Sequence, residues 1–316
     1  MVGFVLLVKG ADWLVDGASD IARKLNVSDL VIGLTIVSFG TSAPELAVNI
    51  IASFQGSSEL AVGNILGSNV ANVLLILGIA GLIRPLVVQS NTVWKEIPLS
   101  LLAALMVGVL ANDVILNGAD TDALERSDGI ALISFFSIFM VYAIELARKG
   151  QGPLGGEDDD EEGAEGMPLW KAITLTVVGL VFLPLGGNWI VEGGKHIAGE
   201  FGMSEAFIGL TIVAIGTSLP EVAASAAAAL KGKTDIAIGN AIGSNIFNIF
   251  WVLGISATIK ALPYSPVSNL DVGMVIVAAL MLILFVSNKD RMLKRGHAVV
   301  FLVVYVAYMV FLVIRG

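Results

Sequence analysis

Two copies of one short polar motif carry the residues of this sequence that are best suited to chemistry. Gly40-Thr41-Ser42-Ala43-Pro44-Glu45 and Gly216-Thr217-Ser218-Leu219-Pro220-Glu221 each combine a carboxylate, two hydroxyls and a proline within a long apolar stretch. A carboxylate at membrane depth is costly unless it is paired, protonated or bound to a cation. Because neither stretch contains Lys or Arg, we expect a metal cation, Na⁺ or a proton to neutralise Glu45 and Glu221.

The residues around the two carboxylates supply the oxygen ligands that hard cations prefer. Ca²⁺ takes six to eight oxygens from carboxylates, carbonyls and other oxygen donors. Pro44 and Pro220 each remove a backbone N–H and clash with the carbonyl four residues earlier, so we expect helix breaks at Gly40 and Gly216. Such breaks free carbonyls near Ser38 and Ala214. The remaining candidate ligands are the hydroxyls of Thr41, Thr217, Ser42, Ser218, Ser68 and Ser244, and the amides of Asn72 and Asn248.

These polar residues also have a purely structural interpretation. Ser and Thr in membrane helices often bond to their own helix, and Asn often joins neighbouring helices. For Ser68 and Asn72, taken singly, the two interpretations are balanced, whereas Asn64 and Asn69 are expected to join helices. The duplication of the whole pattern favours a functional role for Glu45 and Glu221.

The composition is typical of a membrane protein with many spans. Of 316 residues, 56% are hydrophobic and 14% charged, with a mean hydropathy of +0.87, whereas soluble domains carry about 25% charged residues. Cys is absent, and the two His residues lie in different halves, which argues against thiol chemistry, an imidazole metal site and a Ser–His hydrolase. We therefore expect no enzyme activity, no cofactor, no nucleic-acid partner and no obligate protein partner.

Apolar runs of about 20 residues, each enough to cross ~30 Å of hydrocarbon, recur along the chain. They predict an all-α membrane protein with ten transmembrane helices, arranged as a first repeat (1–149), an acidic linker (150–166) and a second repeat (167–316). The linker is expected to be flexible and solvated, with a regulatory Ca²⁺ site as the alternative. The predicted helices are Val2–Lys24, Asp29–Phe54, Leu60–Ile83, Trp94–Ala111, Asp128–Leu146, Leu169–Ala198, Glu205–Leu230, Asp235–Ile259, Leu270–Val286 and His297–Ile314.

The second half repeats the first at a constant offset of 176 residues, as from Glu45 to Glu221. Between Gly10 and Gly78 about 30 of 70 positions are identical without a gap. Five spans per half give the two copies opposite membrane orientations, and secondary transporters built in this way bind substrate at the repeat interface. Lys and Arg concentrate in the loops after odd-numbered spans, which predicts a multi-pass protein of the cell membrane with a cytoplasmic linker and both termini outside.

At these residues the sequence resembles the sodium/calcium exchanger branch of the calcium/cation antiporter superfamily, of prokaryotic type. The resemblance rests on the two Gly-Thr-Ser-(Ala/Leu)-Pro-Glu motifs and on Gly-Asn-Ile-Leu-Gly-Ser-Asn and Gly-Asn-Ala-Ile-Gly-Ser-Asn, and it covers the whole chain. It implies exchange of Na⁺ for Ca²⁺ by alternating access at one mid-membrane site. The partners that we expect are these two ions and the lipid bilayer.

The resemblance also implies a role for each candidate ligand. Glu45 and Glu221 match the calcium-binding acids, flanked by Thr41 and Thr217. Ser38 and Ala214 match carbonyl donors, and Asn72 and Asn248 match the remaining polar positions. The sodium ligands are matched by Ser42, Ser68, Ser218 and Ser244.

Two features of the sequence indicate which branch of the superfamily it resembles. Position 248 is Asp in some relatives, including potassium-dependent exchangers and some prokaryotic ones, but Asn here. This leaves two formal acids and argues against potassium transport. The proton-coupled relatives have a Glu after the Gly-Asn of each repeat, whereas Gly63-Asn64 and Gly239-Asn240 lead to Gly-Ser-Asn. Sodium coupling is therefore favoured, with a Ca²⁺/H⁺ antiporter as the alternative and a cation channel as a further one.

Overall fold

A computed structural model describes residues 2–55, 58–148, 166–200 and 214–315, which are almost entirely helical. The helices of the first half are α1 (Val2–Lys24), α2 (Asp29–Thr41), α3 (Ala43–Gln55), α4 (58–83), α5 (Thr92–Leu110), α6 (Asp113–Asn117) and α7 (Arg126–Arg148). Those of the second half are α8 (Leu169–Glu200), α9 (Ala214–Thr217), α10 (Leu219–Leu230), α11 (Thr234–Ile259), α12 (Ser268–Val286) and α13 (Arg295–Arg315).

Seven helices in the described part of the chain are long and apolar enough to cross a membrane, and the bent pair of α2 and α3 makes an eighth. Two of the ten predicted spans are missing from this set. The first is present as α1 with the predicted bounds, but Lys9, Asp12 and Asp16 interrupt its apolar surface. The seventh, predicted over Glu205–Leu230, lies partly outside the described residues. The helical membrane fold is therefore established, and the count of ten spans is taken up below.

The long helices α1 and α8 cross at glycines. A Cβ atom at Gly10 would come within 2.9 Å of Phe182 Cβ and 3.2 Å of the Gly179 carbonyl oxygen, and one at Gly179 within 2.7 Å of the Gly10 oxygen. Gly3 and Gly186 make a similar approach seven residues away on each helix. Small residues allow close van der Waals contact between membrane helices, so this row of glycines sets the separation of α1 from α8.

The core joins one half of the chain to the other. Gly239 and Gly243 of α11 lie against Leu34 of α2, and a Cβ at Gly243 would come within 2.7 Å of the Leu34 carbonyl oxygen. Around this crossing α4 and α11 are largely buried. The same helices carry the Gly-Ser-Asn motifs, so the best packed part of the protein also holds candidate ligands.

Four two-residue strands lie between the helices and pair across the two halves. Strand β1 (Leu86–Val87) pairs with β4 (Met292–Leu293), and β2 (Ala123–Leu124) pairs with β3 (Leu262–Pro263), both antiparallel. Each pair takes one strand from each half. The segment between α5 and α7 contains the short helix α6 and strand β2.

Candidate cation site

Both motifs break their helix in the same way. Helix α2 ends at Thr41 and α3 begins at Ala43 with a bend of 44°, and Ser42 between them has φ −86° and ψ 5°. Ser218, between α9 and α10, has φ −87° and ψ 1°, a backbone conformation that is common in active sites.

The breaks lie two residues after the predicted positions, Gly40 and Gly216. The reason is that Pro is tolerated in the first turn of a helix, where its missing N–H has no partner to lose. A new helix therefore starts just before each proline, and Pro44 and Pro220 are its second residues.

Glu45 and Glu221 occupy equivalent places in the first turns of α3 and α10. Both side chains are fully buried, and the partial positive charge of a helix N-terminus favours a carboxylate there. Among the described residues neither has an ion-pair partner, and the charge of Glu221 repels that of Glu45. The protein thus brings together two buried carboxylates, and no Lys or Arg of the described residues pairs with either.

The two carboxylates differ in their hydrogen bonds. Ser42 Oγ donates to Glu221 Oε1 at 3.0 Å, whereas both carboxylate oxygens of Glu45 lack a hydrogen-bond partner within the described ranges. Ser218, which is equivalent to Ser42, instead lies with its Oγ 3.5 Å from Ser68 Oγ. The site is therefore built from two equivalent motifs but is asymmetric in this conformation.

Thr41 is held by a residue that the sequence analysis did not assign to the site. Its Oγ1 donates to Asn240 Oδ1 at 3.1 Å, and Asn240 Nδ2 donates to Ser225 Oγ at 2.9 Å and to the Glu221 carbonyl oxygen at 3.3 Å. Asn240 thereby links the Thr-Ser motif of the first half to the Pro-Glu motif of the second. The repetition of Gly-Asn at Asn64 and Asn240 was the signal in the sequence.

Two further predicted ligands, Ser68 and Asn248, lie in the same group of polar contacts. Asn248 Nδ2 donates to Ser68 Oγ at 3.2 Å, and the amide of Asn72 contacts Asn245. Ser244 Oγ, Asn72 Oδ1 and Asn248 Oδ1 are buried without a hydrogen-bond partner in the part of the chain that is described.

The three remaining candidates are Ser38, Thr217 and Ala214. The Ser38 carbonyl oxygen accepts the Ser42 N–H at 3.0 Å, so a cation bound there would share this oxygen with the backbone. Thr217 is half-buried at the end of α9. Ala214 is the first residue of α9, next to the range that is not described.

The orphaned atoms of the site are mostly acceptors. Glu45 Oε1 and Oε2, Glu221 Oε2, and the amide oxygens of Asn72 and Asn248 are all buried without a donor among the described residues. Buried acceptors of this kind are costly unless something pairs with them. Carboxylate and amide oxygens are the ligands that hard cations take.

A buried carboxylate pair at helix breaks in an apolar helical fold defines a membrane transporter of cations. The chain matches the family described as "Sodium/calcium exchanger protein" over residues 1–145 and 171–314, on either side of the acidic linker. It therefore belongs to the sodium/calcium exchanger family, which confirms the resemblance seen in the sequence. The family is one of transporters and not of enzymes, and as a member the chain is a membrane cation antiporter.

Individual relatives agree along nearly the full length. Sodium/calcium exchanger MaX1 of Methanosarcina acetivorans is 34% identical over 340 residues, covering 99% of this chain and 97% of that protein. Inner membrane protein YrbG of Escherichia coli is 38% identical over 308 residues, covering 95% and 91%. A structure of the sodium-calcium exchanger NCX_Mj, soaked with 10 mM Na⁺ and zero Ca²⁺, matches with a TM-score of 0.81 at 31% identity, covering 98% and 96%.

Proposed function

We propose that this protein exchanges Na⁺ for Ca²⁺ by alternating access at a shared site formed by Glu45 and Glu221. The observation that carries the proposal is the pair of fully buried carboxylates with three unpartnered oxygens among the described residues. One Ca²⁺, or several Na⁺ in its place, would neutralise the pair. Because both ions need the same carboxylates, they compete, and the empty site is too highly charged to close.

The ligands proposed for the cations are those expected from the sequence. Glu45, Glu221, Thr41 and Thr217 would bind Ca²⁺, together with the carbonyls of Ser38 and Ala214. Asn72 and Asn248 would contribute amide oxygens, and Na⁺ would occupy positions beside Ser42, Ser68, Ser218 and Ser244. Hydrogen bonds between the halves, such as that from Ser42 to Glu221, support a site at the repeat interface.

The proposed architecture is ten spans in two inverted repeats, residues 1–149 and 167–316, joined by the linker 150–166. The cross-half strand pairs and the packing of α1 on α8 support it, since each contact joins one repeat to the other. The α1–α8 pair is the candidate for the element that slides past the core. Movement of this pair would expose the carboxylates alternately to the two sides.

For the orientation we propose a cytoplasmic linker and external termini. Arg84, in the loop after α4, lies against Gly232, in the loop after α10, so these two basic loops share one end of the molecule. The positive-inside rule places such an end in the cytoplasm. Accessibility labelling of single cysteines, introduced into this cysteine-free chain at the two ends, would test the assignment.

The coupling ion is tested by Ca²⁺ uptake into proteoliposomes. An outward Na⁺ gradient at uniform pH should drive uptake, a pH gradient without Na⁺ should not, and removal of K⁺ should leave the rate unchanged. If a pH gradient alone drives full uptake, the protein is a Ca²⁺/H⁺ antiporter in which Glu45 and Glu221 bind protons. Uptake that needs no counter-ion on the opposite side would instead identify a channel.

A further inference from the structure

Four buried asparagines make the same contact twice across the interface between the halves. Asn72 Nδ2 donates to Asn245 Oδ1 at 2.9 Å, and Asn248 Nδ2 donates to Asn69 Oδ1 at 3.1 Å. All four side chains are at most 1% exposed. Because Asn72 is equivalent to Asn248 and Asn69 to Asn245, each residue meets the non-equivalent asparagine of the other half.

This contact decides which atom of each amide is free. A side-chain amide has an NH₂ group that only donates and a carbonyl oxygen that only accepts. With Nδ2 of Asn72 and Asn248 engaged, their Oδ1 atoms are left without a partner among the described residues. Reversing Asn72 would place its Oδ1 against Asn245 Oδ1, two acceptors with no proton between them.

Asn248 is joined to the candidate site through Ser68. Asn248 Nδ2 also donates to Ser68 Oγ at 3.2 Å, and Ser68 Oγ lies 3.5 Å from the hydroxyl of Ser218, within three residues of Glu221 in the chain. Oriented in this way, Asn248 offers a cation its oxygen and keeps its NH₂ group for the protein. The opposite orientation would present a donor to a cation, which repels it.

The backbone around Asn72 and Asn248 adds a second, independent feature. Asn72 begins a π-helical turn, Asn72–Ile76, and Asn248 lies in another, Phe247–Leu253. Such turns are rare in helices and are frequent at functional sites. Asn69 and Asn245 lie three residues earlier, in regular α-helix. Each of them contacts the asparagine in the π turn of the other half.

We propose that Asn69 and Asn245 are positioning residues for the cation site: each fixes the amide of the candidate ligand in the opposite half, Asn248 and Asn72 respectively, with its oxygen toward the ion. The proposal rests on the proposed function in that Asn72 and Asn248 bind the cation. It goes further because it assigns a role to Asn69 and Asn245, which would not contact the ion themselves. It also makes the orientation of each ligand depend on a residue of the other repeat.

The first test is equilibrium Ca²⁺ binding to the purified protein by isothermal titration calorimetry, which needs no coupling ion. Asn245→Ala and Asn69→Ala should each raise the Kd for Ca²⁺ about 10-fold or more, the usual effect of removing a residue that orients a metal ligand. Asn112→Ala is the matched control, since Asn112 and Asn269 form a reciprocal amide pair at 2.8 and 2.7 Å elsewhere in the protein. It should leave the Kd within about twofold.

The decisive test is a pair of double-mutant cycles. In an Asn72→Ala background, Asn245→Ala should raise the Kd no further, because its ligand is already gone. In an Asn248→Ala background, Asn245→Ala should still raise the Kd for Ca²⁺ about 10-fold. A merely structural role for Asn245 predicts the same cost in both backgrounds, and that result would overturn the proposal.

A variant that keeps the acceptor covers the case in which Asn245→Ala fails to fold. Asn245→Asp retains an oxygen for Asn72 Nδ2, so Asn72→Ala should still raise the Kd about 10-fold in that background. No effect of Asn72→Ala there would contradict the proposal. If the wild-type protein binds no Ca²⁺, the proposed function fails and this inference with it, whereas Ca²⁺ binding with equal costs in all backgrounds refutes the inference alone.

Discussion

The hydroxyl of Ser42, in the first repeat, donates a hydrogen bond of 3.0 Å to Glu221 Oε1, in the second. Glu45, the counterpart of Glu221, has no such donor among the described residues. Two residues at equivalent positions of the repeated motif therefore differ in their hydrogen bonds. In this conformation both carboxylate oxygens of Glu45 and one of Glu221 have no hydrogen bond within the described ranges, and the other oxygen of Glu221 accepts from Ser42.

Replacing Ser42 should weaken Ca²⁺ binding because Glu221 would lose its donor. A hydrogen bond to a charged group contributes about 1.5–3 kcal/mol, so Ser42→Ala should raise the Kd for Ca²⁺ about 10-fold. Calorimetric titration measures this directly. Ser134→Ala is the control, since the exposed Ser134 hydroxyl donates to the Ile130 carbonyl of its own helix. Equal affinities of the two variants would show that the Ser42 bond does not support the site.

Replacing either buried carboxylate should abolish transport without unfolding the protein. A unit charge about 4 Å away is worth about 4 kcal/mol at an effective dielectric constant of 20, so Glu45→Gln or Glu221→Gln should lower Ca²⁺ uptake at least about 100-fold. Thermal unfolding should occur at an unchanged or higher temperature, because a neutral amide is cheaper to bury than a carboxylate.

Glu192→Gln provides the control for both substitutions, since Glu192 is largely exposed and paired with Lys195 on the surface of α8. It should transport Ca²⁺ at the wild-type rate. Normal uptake by a folded Glu45→Gln or Glu221→Gln variant would refute the site.

The two motif glycines should differ in their tolerance of a methyl group. A Cβ at Gly216 would overlap Cγ2 of Val191, and one at Gly40 would overlap the Cδ atoms of Leu180, both on α8. Val is stiff at χ1 in a helix, whereas Leu can change rotamer more easily. Gly216→Ala should therefore destabilise the protein by about 1–3 kcal/mol, and Gly40→Ala by less.

Thermal unfolding in detergent would measure the two effects. Val191→Ala should restore the stability of Gly216→Ala, and Gly273→Ala, where no described heavy atom lies within 4 Å of the added Cβ, should have little effect. If Gly40→Ala proves the more damaging substitution, the explanation from side-chain stiffness is incorrect.

The stability of the protein should depend on the partners of Asp271, the buried acid on α12. Asp271 is buried and accepts hydrogen bonds from Arg315 Nη1 and Nη2, both at 3.0 Å, and from the Tyr308 hydroxyl at 2.9 Å. Removing one member of a buried ion pair costs about 3–5 kcal/mol, and less where a partner is partly exposed, as Arg315 is. We expect Arg315→Met to destabilise by about 2–3 kcal/mol.

The double variant Asp271→Leu/Arg315→Met should recover most of this loss, because no buried charge remains. Lys195→Met, which removes an exposed pair with Glu192, should cost less than about 1 kcal/mol. Denaturation monitored by circular dichroism would compare the three. A double variant less stable than Arg315→Met alone would contradict the argument.

Much of the helical layout could be predicted from the sequence. The sixth predicted span, Leu169–Ala198, corresponds to α8 (Leu169–Glu200), and the eighth, Asp235–Ile259, corresponds to α11 (Thr234–Ile259). Apolar periodicity acts locally along the chain, so it locates helices to within a few residues. A π turn has one more residue than a turn of α-helix. The π turns at Asn72 and Asn248 could not be predicted, since the need for this extra residue arises from packing.

The sequence by itself determined the repeat, its apolar segments, the broken helices at the two Pro-Glu motifs and the two acids of the candidate site. These follow from composition, from the covalent geometry of proline and from identity at a constant offset, all of which are present in the unfolded chain. Only the tertiary structure decided that Ser42 supports Glu221, that Asn240 holds Thr41, and that Asn69 and Asn245 meet the opposite ligands. Each of these bonds joins residues more than 170 positions apart, so it depends on how the two repeats pack and not on either motif alone.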